Sequence, residues 1–189
     1  MFADIGFDGV STADIAKRAG TSQSVVLYHF QTKDELWRAA MRLLFETVGV
    51  NPRFEEGVYK DLDPVSRLRV LLRGFVSTSA RHPQLGRVIF REGSTGGPRL
   101  NWLMEELARP NYAIFDAIFE EGVRAGVMKA YPATMLTLMA HGAAVTIFNL
   151  SAVTASLTSE DPFDPDFIAR QADMVVDVLL TGLLSPAGK

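Results

Sequence analysis

Apolar residues recur along this chain at intervals of three and four, and no alternating run is long enough to make a strand. That period belongs to α-helices. In residues 11–30 it predicts two short helices. Ile15, Ala16 and Ala19 on the first and Val25, Val26 and Phe30 on the second are spaced to pack them together. Gly20 ends the first helix and makes a tight turn into the second. Ser11 or Thr12 can cap the first, and Ser22 the second. Thr32, with Glu35 three residues on, reads as a capping box opening a longer helix. That helix carries Leu36, Trp37, Ala40, Met41, Leu44, Phe45 and Val48 on one broad face.

Residues 49–63 carry Pro52, two glycines and little periodicity, and are expected to be the seam between a head (residues 1–48) and a body (residues 49–189). Asp63 and Pro64 open the body as a cap and a first-turn proline. Leu68, Leu72, Phe75 and Val76 follow on one side. His82 and Pro83 end that helix and start another with Leu85, Val88 and Ile89; residues 93–98 read as a turn. The next helix holds Leu100, Leu103, Met104 and Leu107, is interrupted near Pro110, and resumes through Ile114, Phe115, Ile118, Phe119 and Val123 to Gly126. Pro132 opens a helix rich in small residues that runs to Phe148. Residues 158–165 form an acidic loop, and the last helix spans about residues 166–184. The expected fold is all-α: a small helix-turn-helix head followed by a larger antiparallel helical body.

The last helix is apolar on more than one side. Ile168, Ala172, Val175, Val176, Leu179, Leu180 and Leu183 make one face, and Met174 and Val178 widen it. A terminal helix of this kind packs on two sides. The body's own core accounts for one, and a second copy of the chain is expected on the other, with Met174, Val178 and Leu179 at the dimer seam.

At 189 residues and 48% hydrophobic content, the chain can bury a sizeable core without staples. It has no cysteine, which removes disulfides, thiolate nucleophiles and thiolate metal sites and fits a cytoplasmic location. The longest apolar stretches, such as residues 143–150, are too short to span a bilayer, so no membrane partner is expected. The N-terminus does not read as a signal sequence, since Asp4 and Gly6 break it before any apolar run. A net charge of −3 argues against bulk polyanion binding, and residues 1–50 hold five cations against six carboxylates. Placement softens the objection: Lys17, Arg18 and Lys33 fall at helix ends, within reach of phosphates.

The second short helix opens on Thr21, Ser22, Gln23 and Ser24, left exposed once its apolar side is packed. Gln23 is the best base reader, because a carboxamide can bond an adenine edge through two hydrogen bonds. Thr21, Ser22 and Ser24 are short enough to touch a base or a phosphate. Tyr28, His29 and Lys33 would hold the backbone, and Thr12 at a helix N-terminus can offer hydroxyl and amide to a phosphate.

These residues carry a family likeness. Gly6-Phe7, Ser11-Thr12, Asp14-Ile15-Ala16, Ala19-Gly20, Ser22, Tyr28-His29-Phe30 and Lys33-Asp34-Glu35-Leu36 resemble, in register, the head of the TetR family of transcription regulators. His82-Pro83-Gln84-Leu85, Arg91-Glu92-Gly93 and Gly97-Pro98-Arg99 are similar to segments of the more variable body. The resemblance implies a dimeric, ligand-responsive regulator, more often a repressor, that binds double-stranded DNA at a near-palindromic operator and answers to a small-molecule effector. Members place a tyrosine where this chain has Leu27, and begin with a full helix before the Gly-Phe pair. The expectation is therefore that the native protein starts upstream of Met1.

His82 and His141 lie far apart, without metal-ligand spacing, so no metal site is expected. The glycines at 93–97 follow a helix and lack the lysine of a phosphate loop. No nucleophile–base–orienter set is recognisable, so neither catalysis nor a cofactor is expected. Phe75, Phe90, Trp102, Tyr112, Phe115, His141 and Phe148 are candidates to line an effector pocket, with plain core packing as the competing reading. The alternative function is a helical small-molecule-binding protein whose head no longer binds DNA.

Overall fold

The computed structural model describes residues 1–49, 59 and 61–185, and most of the seam expected over residues 49–63 lies outside them. Among the described residues there are eleven α-helices and no strand. They are α1 (Phe2–Ile5), α2 (Thr12–Arg18), α3 (Gln23–Phe30), α4 (Lys33–Val48), α5 (Pro64–Arg81), α6 (Pro83–Thr95), α7 (Pro98–Leu103), α8 (Arg109–Arg124), α9 (Ala133–Asn149), α10 (Ser151–Thr158) and α11 (Pro165–Leu183). A single π-helical turn, Met104–Ala108, joins α7 to α8.

Side-chain caps fix where these helices begin. Ser11 Oγ accepts from the Asp14 amide at 3.0 Å while the Asp14 carboxylate accepts from the Ser11 amide at 3.2 Å, a reciprocal capping box on α2. Ser22 accepts from the Val25 amide at 3.3 Å, and Thr32 from the Glu35 amide at 3.1 Å. Asp63 and Asp164 each accept two amides at the starts of α5 and α11, ahead of a first-turn proline. Each such cap stabilises its helix by about 1 kcal/mol.

Two elements differ from the sequence reading. Helix α6 continues through Thr95, so the turn shrinks to Gly96 and Gly97. The Ser94 and Thr95 hydroxyls donate to the carbonyls of Phe90 and Arg91, one turn back, as such residues do within helices. The interruption expected near Pro110 is the π turn just ahead of it, and Pro110 itself sits in the first turn of α8. Helix α10, beyond the expected end of α9, has too weak an apolar period to stand out.

The chain forms two compact units: the described residues of Met1–Val50 with Gln84–Leu107, and those of Asn51–Pro83 with Ala108–Lys189. The head unit therefore draws on residues 84–107 as well as the first fifty. Its buried core combines Phe2, Val10, Ala16, Val26, Leu36, Trp37 and Met41 with Val88 and Leu103, and Ile15 and Phe30 pack partly buried against it. Phe2 is supplied to that core by the short α1. Two residues read as packing are exposed instead, Ala19 and Val25. Helix α2 has already ended at Arg18, and α3 buries only the narrow Val26–Phe30 stripe, with Val25 beside it.

In the body unit, α5, α8, α9 and α11 pack around Leu68, Leu72, Val76, Phe119, Ala144, Phe148, Val176 and Leu180. Arg67 pairs with Glu121, and Arg73 with Asp173. The buried Gln171 side chain donates to the Ala143 carbonyl at 3.1 Å, tying α11 to α9. Small residues at Ala140 and Ala144 let these helices approach closely. No single described helix is long and apolar enough to cross a membrane.

Candidate nucleic-acid interface

The turn between α2 and α3 is set by two backbone hydrogen bonds. The Gly20 amide donates to the Lys17 carbonyl at 3.2 Å, and the Thr21 amide to the Ala16 carbonyl at 3.0 Å. Gly20 has φ +68°, a left-handed conformation that costs residues with a Cβ about 1 kcal/mol or more. This closure ends α2 and delivers Ser22 directly to its capping position on α3.

Helix α3 then lies with Val26 buried and Phe30 half-buried, while its other residues face outward. Thr21, Ser22, Gln23 and Ser24 are exposed at its N-terminal end, and Tyr28 is 83% exposed farther along. The Ser22 and Ser24 hydroxyls are 2.9 Å apart, so Ser22 both caps the helix and touches its neighbour. Gln23 Nε2 donates to Thr12 Oγ1 at 2.9 Å. Tyr28 and His29 stack edge-on, 5.3 Å between ring centroids. Lys33, at the start of α4, holds its ammonium 4.4 Å from the Phe7 ring centroid, and the Arg99 guanidinium lies 4.2 Å from the same ring.

The structure therefore gathers Thr21, Ser22, Gln23 and Ser24 on one exposed helix tip, with Tyr28 and His29 open on the same helix. Thr12 is the exception among the expected contacts. It is buried at 9% exposure and its hydroxyl oxygen accepts from Gln23, which leaves its own O–H to donate.

Electrostatics suit an anionic partner better than the net charge indicates. Helix α3 bears no carboxylate. Asp4 pairs with Arg87 at 2.8 Å and Asp34 with Arg38 at 2.6 Å. Asp14 is held in its cap, and the hydrogen bonds from the Ser11 hydroxyl and amide lower its pKa below the ordinary carboxylate value. Lys17 and Arg18 stay exposed at the end of α2. An exposed, capped helix tip with short polar side chains is the kind of element that helix-turn-helix proteins place in a major groove.

The seven aromatic and histidine residues read as a pocket do not converge within either unit. Phe75, Tyr112, Phe115 and His141 do meet in the body: His141 stacks on Tyr112 at 5.6 Å and lies 5.4 Å from Phe75, which meets Phe115 at 5.6 Å. Burial lowers the His141 pKa and raises that of Tyr112, so both are neutral at pH 7. Phe148 is wholly enclosed in the body core. Phe90 and Trp102 belong to the head unit, where Phe90 is 73% exposed and Trp102 packs against Trp37. Helix periodicity alone could not assign them to a unit.

On α11, Met174 and Val178 are exposed, at 55% and 64%. Leu179 instead packs against the body's own core, because it falls on the Val175–Val176 side of the helix. Sequence reasoning missed Arg99, whose Nε donates at 3.1 Å to the buried Glu92 while its plane covers Phe7. Only the resemblance of Gly97-Pro98-Arg99 pointed toward that residue.

Residues 1–47 match the family model for bacterial regulatory proteins of the tetR family, and residues 64–179 match that for the tetracyclin repressor-like C-terminal domain. The HTH-type transcriptional regulator RutR of Escherichia coli is 23% identical over 185 residues, covering 96% of this chain and 84% of that protein. The regulator BetI of Serratia proteamaculans is 28% identical over 118 residues, 61% of this chain and 60% of that protein. Among solved structures, AibR in complex with isovaleryl coenzyme A and operator DNA superposes with a TM-score of 0.71 at 20% identity, over 95% of this chain and 91% of that one. The ketosteroid regulator KstR2 of Mycobacterium tuberculosis gives 0.70 at 17% identity, over 98% and 90%. With one model matched by the head and another by most of the body, the chain belongs to the TetR family of bacterial regulatory proteins, transcriptional regulators with a helix-turn-helix DNA-binding domain.

Proposed function

We propose that this protein is a cytoplasmic, homodimeric, ligand-responsive repressor that binds a near-palindromic operator. The observation that carries the reading is the capped tip of α3, exposed from Thr21 to Ser24 while Val26 anchors the helix to the head core. Gln23 reads a base edge, and Thr21, Ser22 and Ser24 touch bases or phosphates. Tyr28, His29 and Lys33 hold the backbone and fix the docking register. A second copy covers the exposed apolar side chains of the body, Met135, Leu138 and Met139 on α9 and Met174 and Val178 on α11.

The effector is a small molecule that engages the His141–Tyr112–Phe75 group. With His141 neutral and rings on both sides, that group favours an uncharged or aromatic ligand. By binding one body conformation more tightly than the other, the ligand shifts the spacing of the two heads and weakens operator binding. AibR, with its isovaleryl coenzyme A and operator DNA, supports a two-ligand scheme of this type.

The test is a mobility-shift titration of the protein on DNA from upstream of its own gene, against unrelated DNA of equal length. Tighter retention of the upstream fragment, reduced in Gln23→Ala, supports the reading. Equal affinity for both fragments sinks it in favour of a body that binds small molecules without reading DNA.

A further inference from the structure

We propose that Thr12 is a positioning residue for base readout: it fixes the Gln23 carboxamide through its hydroxyl oxygen. The inference rests on the DNA-binding reading and adds a specificity determinant on α2.

Gln23 opens α3 and is exposed, so its side chain would otherwise sample many rotamers, and ordering a glutamine on binding is costly. Here Nε2 is tied to Thr12 Oγ1 at 2.9 Å. Thr12 suits the task. It is the first residue of α2, its backbone is locked by the Ser11–Asp14 capping box, and it is buried at 9% exposure. Its branched Cβ limits the first side-chain torsion to few rotamers, so the hydroxyl has few positions to occupy. The hydrogen bond also gives the buried hydroxyl oxygen a donor.

The remaining chemistry of Gln23 stays available. A carboxamide has two N–H donors and one carbonyl oxygen. With one N–H given to Thr12, the second and Oε1 are left for a partner, the pair needed to accept from adenine N6 and donate to N7. Thr12 thus narrows the orientations of a base-reading group before DNA arrives, which cuts the ordering cost of recognition.

The experiment is selection from a randomised duplex library by wild type, Thr12→Val, Thr12→Ser and Gln23→Ala, with binding curves at several salt concentrations. Gln23→Ala marks the base positions that Gln23 reads. Thr12→Val, which keeps the shape and removes the hydroxyl, is expected to lower discrimination at those same positions about three- to tenfold, the scale of one neutral hydrogen bond. Thr12→Ser restores it, and the salt dependence is unchanged in both. As a readout independent of DNA, the Gln23 side-chain amide protons in the free protein exchange slowly in wild type and Thr12→Ser and fast in Thr12→Val.

Full discrimination by Thr12→Val at the positions erased by Gln23→Ala, with Gln23 amide exchange as slow as in wild type, overturns the proposal. So does uniform weakening on all sequences with discrimination intact, which marks a backbone contact and no part in readout. If wild type enriches no sequence at all, the DNA-binding reading itself fails, a result distinct from either.

Discussion

Trp102 on α7 packs edge-on against Trp37 on α4, with ring centroids 5.6 Å apart. Trp37 is 1% exposed, and the Arg38 and Arg42 guanidiniums lie 5.1 and 5.0 Å from the Trp102 ring. This pair joins the helix that supports α3 to a segment far along the chain. Trp37→Ala is expected to destabilise the head unit by about 3–5 kcal/mol, the usual cost of emptying a large aromatic site. Chemical denaturation followed by far-ultraviolet circular dichroism checks it, and a loss below about 1 kcal/mol contradicts the packing.

What was legible in the sequence follows from the range of each interaction. Ser11, Ser22, Thr32 and Asp63 cap through bonds to amides two or three residues away, and such bonds leave a local signature. The stripe of Leu36, Trp37 and Met41 was equally plain, because burial on one helix face repeats with the helix period. The enclosure of Val88 and Leu103 in the head, the exposure of Phe90 and the bond from Gln23 to Thr12 depend on which helix lies beside which. Periodicity names a face and not its partner, so those features, and with them the true setting of Thr12, emerge only from the fold.

The α2–α3 turn gives a paired stability prediction. Gly20→Ala places a Cβ at φ +68°, and is expected to cost about 1 kcal/mol and to weaken DNA binding by loosening Ser22's approach to its cap. At the other end of α3, Gln31 holds φ +51°, ψ −49°, with the Thr32 amide bonded to the Phe30 carbonyl, a strained γ-turn. Gln31→Gly relieves that strain and is expected to raise stability by about 0.5–1 kcal/mol. Melting temperatures moving in opposite directions for the two variants confirm the pair.

Gln23 and Lys33 are expected to fail differently. Gln23→Ala relaxes preference at one base position with little effect on the salt dependence. Lys33→Ala weakens binding to all sequences alike and lowers the slope of log affinity against log salt by about one. Anisotropy titrations on two duplexes at four salt concentrations separate the outcomes. A sequence-selective effect from Lys33→Ala contradicts its assignment to the backbone.

His141 makes the body sensitive to acid. Burial holds its pKa below the ordinary 6.5, so below that pH the unfolded chain takes up a proton that the folded chain resists. Its favourable contribution is complete above pH 6.5 and is lost as pH falls toward the lowered folded value. The melting temperature is expected to drop between pH 7.5 and 5.5, and to drop less in His141→Gln. Asp14 and Asp63, lowered by their cap hydrogen bonds, keep their contribution until the pH falls below the ordinary carboxylate range. Identical pH profiles for wild type and His141→Gln refute the buried neutral imidazole.

Hydroxyl-radical footprinting on a selected operator tests the central claim most directly, because it reports where the α3 tips sit. A dimer presenting two such tips predicts two protected backbone patches on one face of the duplex, flanking successive major grooves about 34 Å apart, with Gln23→Ala weakening both together. A single patch, or even protection along the fragment, contradicts it.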